Sequence, residues 1–169
     1  RTWEQVILPI DGEQQNIIYL NGFNYETQGE LDYFISPQIN LRNTPNAQLA
    51  FELAYSPYED EDFHESLLVA ISTDCGNTFE LLDAPYHKTG VSLGTQDFMT
   101  DQFFPDSESQ FRTELVNLSS FAGHGDIRIA FISLNGYGNN LFLKNIRVTP
   151  SEELNYDFEL SQILGPGPF

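Results

Sequence analysis

This 169-residue sequence has little cysteine, few basic residues and no long apolar run, and each shortage excludes a class of protein. Cys75 is the only cysteine, so no disulfide can form within the chain. Seven Lys and Arg residues stand against 25 Asp and Glu, and the formal net charge of -18 repels phosphate backbones and anionic lipids. Because no run of ~18 apolar residues is present, no transmembrane helix is predicted. We therefore expect no nucleic-acid partner and no membrane insertion.

Sequence motifs of the common catalytic mechanisms are also missing. His64 and Glu65 resemble the start of a zinc-protease helix, but the residue four positions after His64 is Leu68. No glycine-rich phosphate loop, Cys-x-x-Cys pair or Ser/His/Asp order is present. The acidic run at residues 58–65 lacks the glycine of a calcium loop and lies between two predicted strands. We favour a solvated connection there, with a calcium loop or a glycosidase carboxylate pair as alternatives, and predict no enzymatic activity.

What the sequence contains is the pattern of a β protein. It is 40% hydrophobic and 14% aromatic, and no helical 3.6-residue period persists. Apolar residues instead alternate with polar or small ones, as in Leu49, Phe51, Leu53 and Tyr55. Turn-forming residues separate short strands predicted at 17–21, 33–36, 49–55, 67–72, 79–82, 112–118, 127–134 and 141–148. The predicted fold class is all-β, an antiparallel β-sandwich.

The predicted sandwich occupies residues 1–150, and two segments depart from its pattern. Residues 88–110 form a long connection, which we expect to cross one edge or mouth of the sandwich. Residues 151–169 contain a short strand candidate and then Gly165-Pro166-Gly167-Pro168, which is typical of a linker. We expect this linker to lead to a following domain of a longer protein.

Four phrases in the sequence resemble a known family of modules. They are Leu-Asp-Tyr-Phe-Ile-Ser-Pro at 31–37, Ser-Thr-Asp-Cys-Gly-Asn-Thr-Phe at 72–79, Phe-Arg-Thr-Glu at 111–114, and the glycine- and asparagine-rich turn with its strand at 135–148. Their order and spacing resemble the jelly-roll modules of secreted Bacteroidetes proteins, which are similar to MAM domains and to the cleaved adhesin modules of gingipain-type proteases. The resemblance covers roughly residues 3–148.

This resemblance implies a concanavalin-like jelly roll that lies beside a catalytic or adhesive domain of an exported protein, often one carried by the type IX secretion route. Such modules are usually non-catalytic. The roles attributed to them are adhesion, attachment to polysaccharide or protein, and spacing between domains.

Aromatic residues in predicted loops are the candidates for ligand binding. Flat rings beside acids and amides combine stacking with hydrogen bonding, as sugar-binding surfaces require. The alternative is that these rings cap the ends of the sandwich core. The candidate residues are Tyr55, Tyr58, Phe63, Tyr86, Tyr137 and Asn139.

Lys144 interrupts the apolar strand at 141–148 and is predicted to have a structural role. Strand alternation puts it on one face with Phe142, Ile146 and Val148, which we predict to be the core face, where a lysine must extend to solvent or find a carboxylate. The resemblance implies an Asp near this position that helps to ligate a structural calcium. We hypothesise that the ammonium replaces that ion and pairs with one of the N-terminal acids Asp11, Glu13, Glu30 or Asp32.

The expected function is a non-catalytic binding or adhesion module of a secreted or cell-surface bacterial protein, with polysaccharide as the ligand. No cofactor is expected to be required, and the weak candidates for a structural calcium are Asp11, Glu30 and Asp32. The alternatives are a spacer domain accessory to a secreted peptidase and a calcium-dependent adhesin for a surface protein. Neighbouring domains of the same chain are expected partners in each case.

Overall fold

The structure is a computed structural model that describes residues 3–58, 63–82 and 85–150. The predicted strand and linker after residue 150 lie outside the described residues. None of the described helices has the length and apolar character to cross a bilayer. In chain order the elements are β1 Glu4–Ile10, β2 Glu13–Leu20, β3 Leu31–Ile35, β4 Ala47–Tyr55, β5 Ser66–Ser72, β6 Glu80–Leu81, β7 His87–Thr89, α1 Gly90–Leu93, a 3-10 helix Glu108–Gln110, β8 Arg112–Asn117, a second 3-10 helix Ser119–Phe121, β9 Arg128–Leu134 and β10 Leu141–Pro150.

The strands form two antiparallel sheets that pack face to face, which confirms the predicted all-β jelly-roll sandwich. Sheet A has the order β1-β2-β10-β4-β8, and sheet B has the order β3-β9-β5-β6, with β7 pairing to the start of β5. The eight predicted strands are present, and β1, β7 and the one-turn helix α1 are additional. Pro9 lies within β1, which is tolerated because β1 is the edge strand of its sheet.

The main core fills the space between the sheets and follows from the period-two alternation of the strands. Leu49, Phe51, Leu53 and Tyr55 all point inward from β4 and are fully buried. The Phe51 ring makes an edge contact with Phe131 of sheet B, with 5.1 Å between the ring centroids. Burial of each such side chain contributes about 1.5–3 kcal/mol, so this layer holds the two sheets together.

A second apolar layer covers the outer face of sheet A. Phe142 and Tyr19 stack there at 5.1 Å, and Phe103 packs edge-on against Phe142 at 5.9 Å. Phe103 belongs to the long connection at residues 88–110. The sequence predicted that the connection would cross an edge or mouth of the sandwich. Its Thr95 donates to the Tyr55 carbonyl at the end of β4, and the connection then continues over the outer face of sheet A, which the sequence did not predict.

A β-bulge divides β10 into two halves. Lys144 pairs with Glu52 of β4, but the next pair is Arg147 with Ala50, so β10 has one extra residue between them. Asn145 has a φ of 52°, in the left-handed region. Side chains beyond the bulge change faces, and Ile146 and Val148 pack into the main core. The prediction that they share a face with Lys144 is therefore wrong.

The outer face of sheet B is covered only in part. Leu68 and Phe79 pack there against the buried Ala70, Ala130 and Ile132. The apolar side chains of β3 on this face are exposed, and Tyr33 retains 45% of its accessible surface. The other large apolar residues exposed on this sheet are Leu31, Ile35 and Leu81.

Candidate functional site

Asparagine side chains bind the loop between β9 and β10 to two neighbouring segments. Asn135 donates through Nδ2 to the carbonyl oxygen of Thr27 at 2.6 Å. Asn139 accepts the N–H of Phe103 at 2.8 Å, and Asn140 donates to the Phe103 carbonyl at 2.9 Å. Buried backbone groups need such partners, so the three amides fix the loop in place at one end of the sandwich.

Glu65 lies fully buried under this loop, immediately before β5. Its Oε1 accepts the N–H of Gly138 at 3.0 Å, and its Oε2 has no hydrogen-bond partner among the described residues. Burial raises the pKa of Glu65 to about 7, against the lowering effect of the Gly138 and Gly136 N–H groups, and the charge of Asp32 raises it further. The carboxyl group therefore changes charge near neutral pH, directly beneath the loop.

Glycines allow the loop to approach the segment that carries Glu65. A Cβ on Gly136 would lie 1.9 Å from the carbonyl oxygen of His64, and one on Gly138 would lie 2.6 Å from the Tyr55 hydroxyl oxygen. Real Cβ atoms do not tolerate such distances. The glycine-rich turn is therefore required for close packing at this end of the sandwich.

Four aromatic residues surround a depression of about 380 Å³ above Gly138. Phe63 and Tyr137 meet edge to face with 6.2 Å between ring centroids. Phe23, Phe63 and Tyr137 retain 36%, 37% and 41% of their accessible surface, and Tyr58 is half-buried. We call Phe23, Tyr58, Phe63 and Tyr137 the aromatic patch. It is a set of rings, contributed by three loops, that a ligand can contact.

The structure divides the predicted ligand-binding residues into two groups. Tyr58, Phe63 and Tyr137 come together in the aromatic patch. Tyr55 and Tyr86 are buried in the main core, where the Tyr55 hydroxyl accepts the N–H of Glu65, so neither ring is offered to a ligand at the surface. The same holds for Asn139, which is fully buried and holds the loops through hydrogen bonds. Tyr55 and Asn139 support the loop beneath the patch, whereas Tyr86 packs edge-on against Phe51 in the main core.

Phe23 and Glu65 belong to this site, but the sequence analysis did not find them. Phe23 follows Gly22 in a segment without strand alternation, and nothing local shows that its ring meets residues 58, 63 and 137. Glu65 ends the acidic run at 58–65, for which the sequence predicts a solvated connection and of which residues 59–62 lie outside the described residues. A usable signal was that Glu65 directly precedes the apolar run of β5, because a carboxyl group at the start of a central strand is placed for burial.

The structure brings two of the three predicted calcium candidates together, since Glu30 and Asp32 both lie beside the Tyr25 hydroxyl, and it places Asp11 apart from them. Asp11 lies in the β1–β2 turn, where its Oδ2 accepts the N–H of Glu108 and this lowers the pKa of Asp11. Glu30 accepts the hydroxyl of Tyr25 at 2.8 Å, and Asp32 is buried on β3 with one carboxylate oxygen unpartnered. No group of three or more His, Cys, Asp or Glu residues within the described ranges is arranged to hold a metal ion.

Lys144 is 4% exposed and lies on the outer face of sheet A. Its Nζ is 2.5 Å from Oε2 of Glu108, donates to Oε1 of Gln15 at 2.9 Å, and lies 3.6 Å from Oε2 of Glu52. It also lies 4.1 Å from the centroid of the Phe111 ring. The direct partners are Glu108 and Glu52, which were not among the four predicted acids. Glu108 comes from the connection over sheet A, whose position the sequence did not show.

Comparison with known proteins gives structural neighbours only. No family profile matches the sequence, and no curated protein matches it. The K1 cleaved adhesin domain of Lys-gingipain from Porphyromonas gingivalis W83 is similar in structure, with a TM-score of 0.56, 18% identity, and coverage of 89% of this chain and 84% of that domain. The two chains share a fold.

Carbohydrate-binding modules are also among the structural neighbours. The module CBM28, described as specific for non-crystalline cellulose, has a TM-score of 0.51 and 10% identity, with coverage of 87% of this chain and 82% of that module. The family 11 module of the cellulase Lic26A-Cel5E from Clostridium thermocellum has a TM-score of 0.48 and 10% identity, with coverage of 88% and 82%. At these identities the similarity to CBM28 shows the fold alone.

Proposed function

We propose that this chain is a non-catalytic binding module of a secreted or surface-attached bacterial protein, and that the aromatic patch holds a carbohydrate. The observation that carries the proposal is the convergence of four rings around one depression at the loop end of the sandwich. The type IX route and the MAM-like relationship, which the sequence resemblance implies, are part of the same proposal.

The chemistry of the patch suits a sugar ring. Aromatic faces stack on the C–H faces of sugars, and nearby polar groups select the hydroxyl pattern. Tyr137 is oriented by its hydroxyl, which donates to the carbonyl oxygen of Glu26, and by its N–H, which donates to Asn135 at 3.1 Å. Its ring is therefore positioned before any ligand arrives, which lowers the entropic cost of binding.

The charge of the chain narrows the class of carbohydrate. A formal net charge of -18 disfavours uronic-acid and sulfated polymers through long-range repulsion. We therefore infer that the ligand is a neutral polysaccharide. Neutral β-glucans are the first class to test, since one structural neighbour is a cellulose-specific module.

A glycan array at fixed calcium concentration, followed by calorimetry on the strongest hit, tests the proposal. Phe63→Ala and Tyr137→Ala are each expected to weaken binding about tenfold, because a ring contact contributes about 0.5–1.5 kcal/mol beyond its burial. Tyr33→Ala is the matched control, since this ring is similarly exposed but lies on the outer face of sheet B. An array without hits, or a tenfold loss in the control alone, contradicts sugar binding at the patch.

A second candidate function is that of a structural spacer beside a catalytic domain of the same protein. It is favoured by the uncovered apolar residues Leu31, Tyr33 and Ile35 on β3, which suit contact with a protein surface more than with a sugar. The same array separates the two candidates. A silent array, with Tyr33→Asp abolishing association with the neighbouring domain, supports the spacer.

A further inference from the structure

A second depression, of about 270 Å³, lies beside the aromatic patch. Tyr58 borders both depressions. Two consecutive residues are also divided between them, since Phe63 borders the depression of the patch and His64 borders the second one. At Tyr58 the two depressions are therefore one side chain apart. We call the second one the Phe98 depression, after the exposed ring that borders it.

The border of the Phe98 depression carries large apolar side chains that stay exposed. Phe98 retains 52% of its accessible surface and Val91 retains 71%. Both belong to the long connection at residues 88–110, whose Phe103 instead packs over sheet A. Single exposed apolar residues are ordinary, but these adjoin the rings of the aromatic patch, and a contiguous apolar surface marks a site of interaction.

Two hydrogen bonds position the backbone on either side of Phe98. The Ser56 hydroxyl donates to the carbonyl oxygen of Asp97 at 2.7 Å. The N–H of Met99 donates to the carbonyl oxygen of Pro57 at 3.0 Å. Both bonds join the connection to the segment that follows β4. The Phe98 backbone is therefore in place before a ligand arrives, which lowers the entropic cost of binding.

The lining of the Phe98 depression combines rings with polar groups. Phe98 supplies an exposed ring, and Tyr58 and His64 carry a hydroxyl and an imidazole. A groove for an amphipathic helix presents apolar side chains to it. A sugar instead requires flat rings for its C–H faces and polar groups for its hydroxyls. The composition of this depression therefore matches that of the aromatic patch.

We propose that the ligand is an extended neutral polysaccharide chain, with one stretch on the aromatic patch and the next stretch in the Phe98 depression. This inference rests on the proposed function and specifies the form of its ligand, which is the interior of a chain and not a single terminal sugar. Tyr58 lies between the two stretches. Since one molecule fills both depressions, the second contact is intramolecular and the affinity rises with chain length.

Calorimetry with cello-oligosaccharides of two, four and six units tests this inference on the full chain. The wild type should bind the six-unit compound at least tenfold more tightly than the disaccharide, which reaches only one depression. Phe98→Ala should remove this rise and leave the affinity for the disaccharide unchanged. Tyr137→Ala should weaken binding of every compound about tenfold.

Phe104→Ala is the matched control for Phe98→Ala. Phe104 is a residue of the same type on the same connection and is 45% exposed, but its ring packs against Phe142 on the outer face of sheet A. This variant should keep the length dependence of the wild type. A loss of the length dependence in Phe104→Ala as well would overturn the assignment of the second contact to Phe98.

The outcomes separate this inference from the proposed function. Weaker binding in Tyr137→Ala, together with an unchanged length dependence in Phe98→Ala, would overturn the chain across both depressions and leave sugar binding at the patch intact. Equal affinity of the wild type for all three compounds would do the same. If the wild type binds none of them, the proposed function fails, and this inference fails with it.

Met99 provides a second measurement on the unsubstituted protein. It is the only methionine of the sequence, it is exposed, and it follows Phe98 directly. Methyl-labelled methionine therefore gives one NMR signal next to the Phe98 depression. The six-unit oligosaccharide should shift this signal at saturation, and the disaccharide should not. An unchanged signal with the saturating six-unit compound would overturn the inference.

Discussion

Lys144 and Glu65 are both buried ionisable side chains, but their surroundings differ. The Lys144 ammonium lies against three side-chain oxygens, from Glu108, Gln15 and Glu52. The Glu65 carboxyl group receives backbone N–H groups, keeps one oxygen unpartnered, and faces no Lys, Arg or His within hydrogen-bond or ion-pair distance in the described part of the chain.

The difference shows that partners, and not burial alone, determine the charge state of a buried group. Lys144 lowers the pKa of Glu108 through a direct hydrogen bond, so this carboxylate stays ionised beside it. Burial without a cation instead raises the pKa of Glu65 to about 7. One site is an ion pair that fixes the connection over sheet A, and the other is a proton site beneath the aromatic patch.

The largest expected effect comes from Gly136→Ala, which disturbs the Glu65 site and leaves Lys144 untouched. The new Cβ would lie 1.9 Å from the His64 carbonyl oxygen, so the loop must move away from Glu65. We expect a loss of about 3 kcal/mol or more in the free energy of unfolding, measured with urea. Gly123→Ala is the control, since its Cβ meets open space and only the positive φ costs about 1–2 kcal/mol. Equal losses in both variants would contradict the packing argument.

Glu65→Gln tests the proton site through pH. The carboxyl group titrates near 4.5 when unfolded and near 7 when folded, so the folded state binds the proton more tightly. Its contribution to stability is complete below pH 4.5 and is lost as the pH rises through 7. Between pH 4.5 and pH 8, the free energy of unfolding of the wild type should fall by on the order of 3 kcal/mol relative to that of the glutamine variant.

Urea unfolding of both proteins at pH 4.5 and pH 8 measures this difference. Glu4→Gln, at an exposed position on β1, controls for the removal of one negative charge from a strongly acidic chain. A constant difference between wild type and Glu65→Gln across this pH range would show that Glu65 is ionised throughout, and the contrast with Lys144 would fail.

Lys144→Met should have a smaller effect. Glu108 is half exposed, so water replaces the ammonium there, and no fully buried charge is left behind. We expect a loss of about 1–2 kcal/mol, below the usual cost of breaking a buried pair. Lys88→Met is the matched comparison. It also removes a lysine from an ion pair, but the partner Glu114 keeps a second cation, Arg112, at 2.7 Å. A loss of 4 kcal/mol or more in Lys144→Met would show that the ion pair is essential to the fold.

The sequence predicted the fold well because sandwich strands carry a local signal. Period-two alternation and turn residues are properties of neighbouring positions, and the eight predicted strands are all present. The covering connection gave no such signal. Its Phe103 packs against Phe142 of β10, a contact between residues far apart in sequence.

The candidate site was predicted only in part, for the same reason. Tyr58, Phe63 and Tyr137 were identified as loop aromatics, but Tyr55 and Tyr86 have the same local character and are buried. Whether such a ring is exposed depends on how deeply its strand end lies in the sandwich, and the sequence does not show this depth. At Lys144 the need for a carboxylate partner followed from alternation. The bulge at Asn145, which changes the face of the residues after it, has no distinct sequence pattern.

The smallest expected effect tests the hypothesis that the Lys144 ammonium replaces the structural calcium that the sequence resemblance implies. The melting temperature of the wild type should not change when a chelator is added, because Nζ already faces the oxygens of Glu108, Gln15 and Glu52. Lys144→Asp replaces the ammonium with a further oxygen ligand, and calcium binds such oxygen sets. Calcium should therefore raise the melting temperature of this variant, because a ligand that binds only the folded state stabilises it. A large loss of wild-type stability on chelation, or no response of the variant to calcium, would contradict the interpretation of Lys144 as a replacement for the ion.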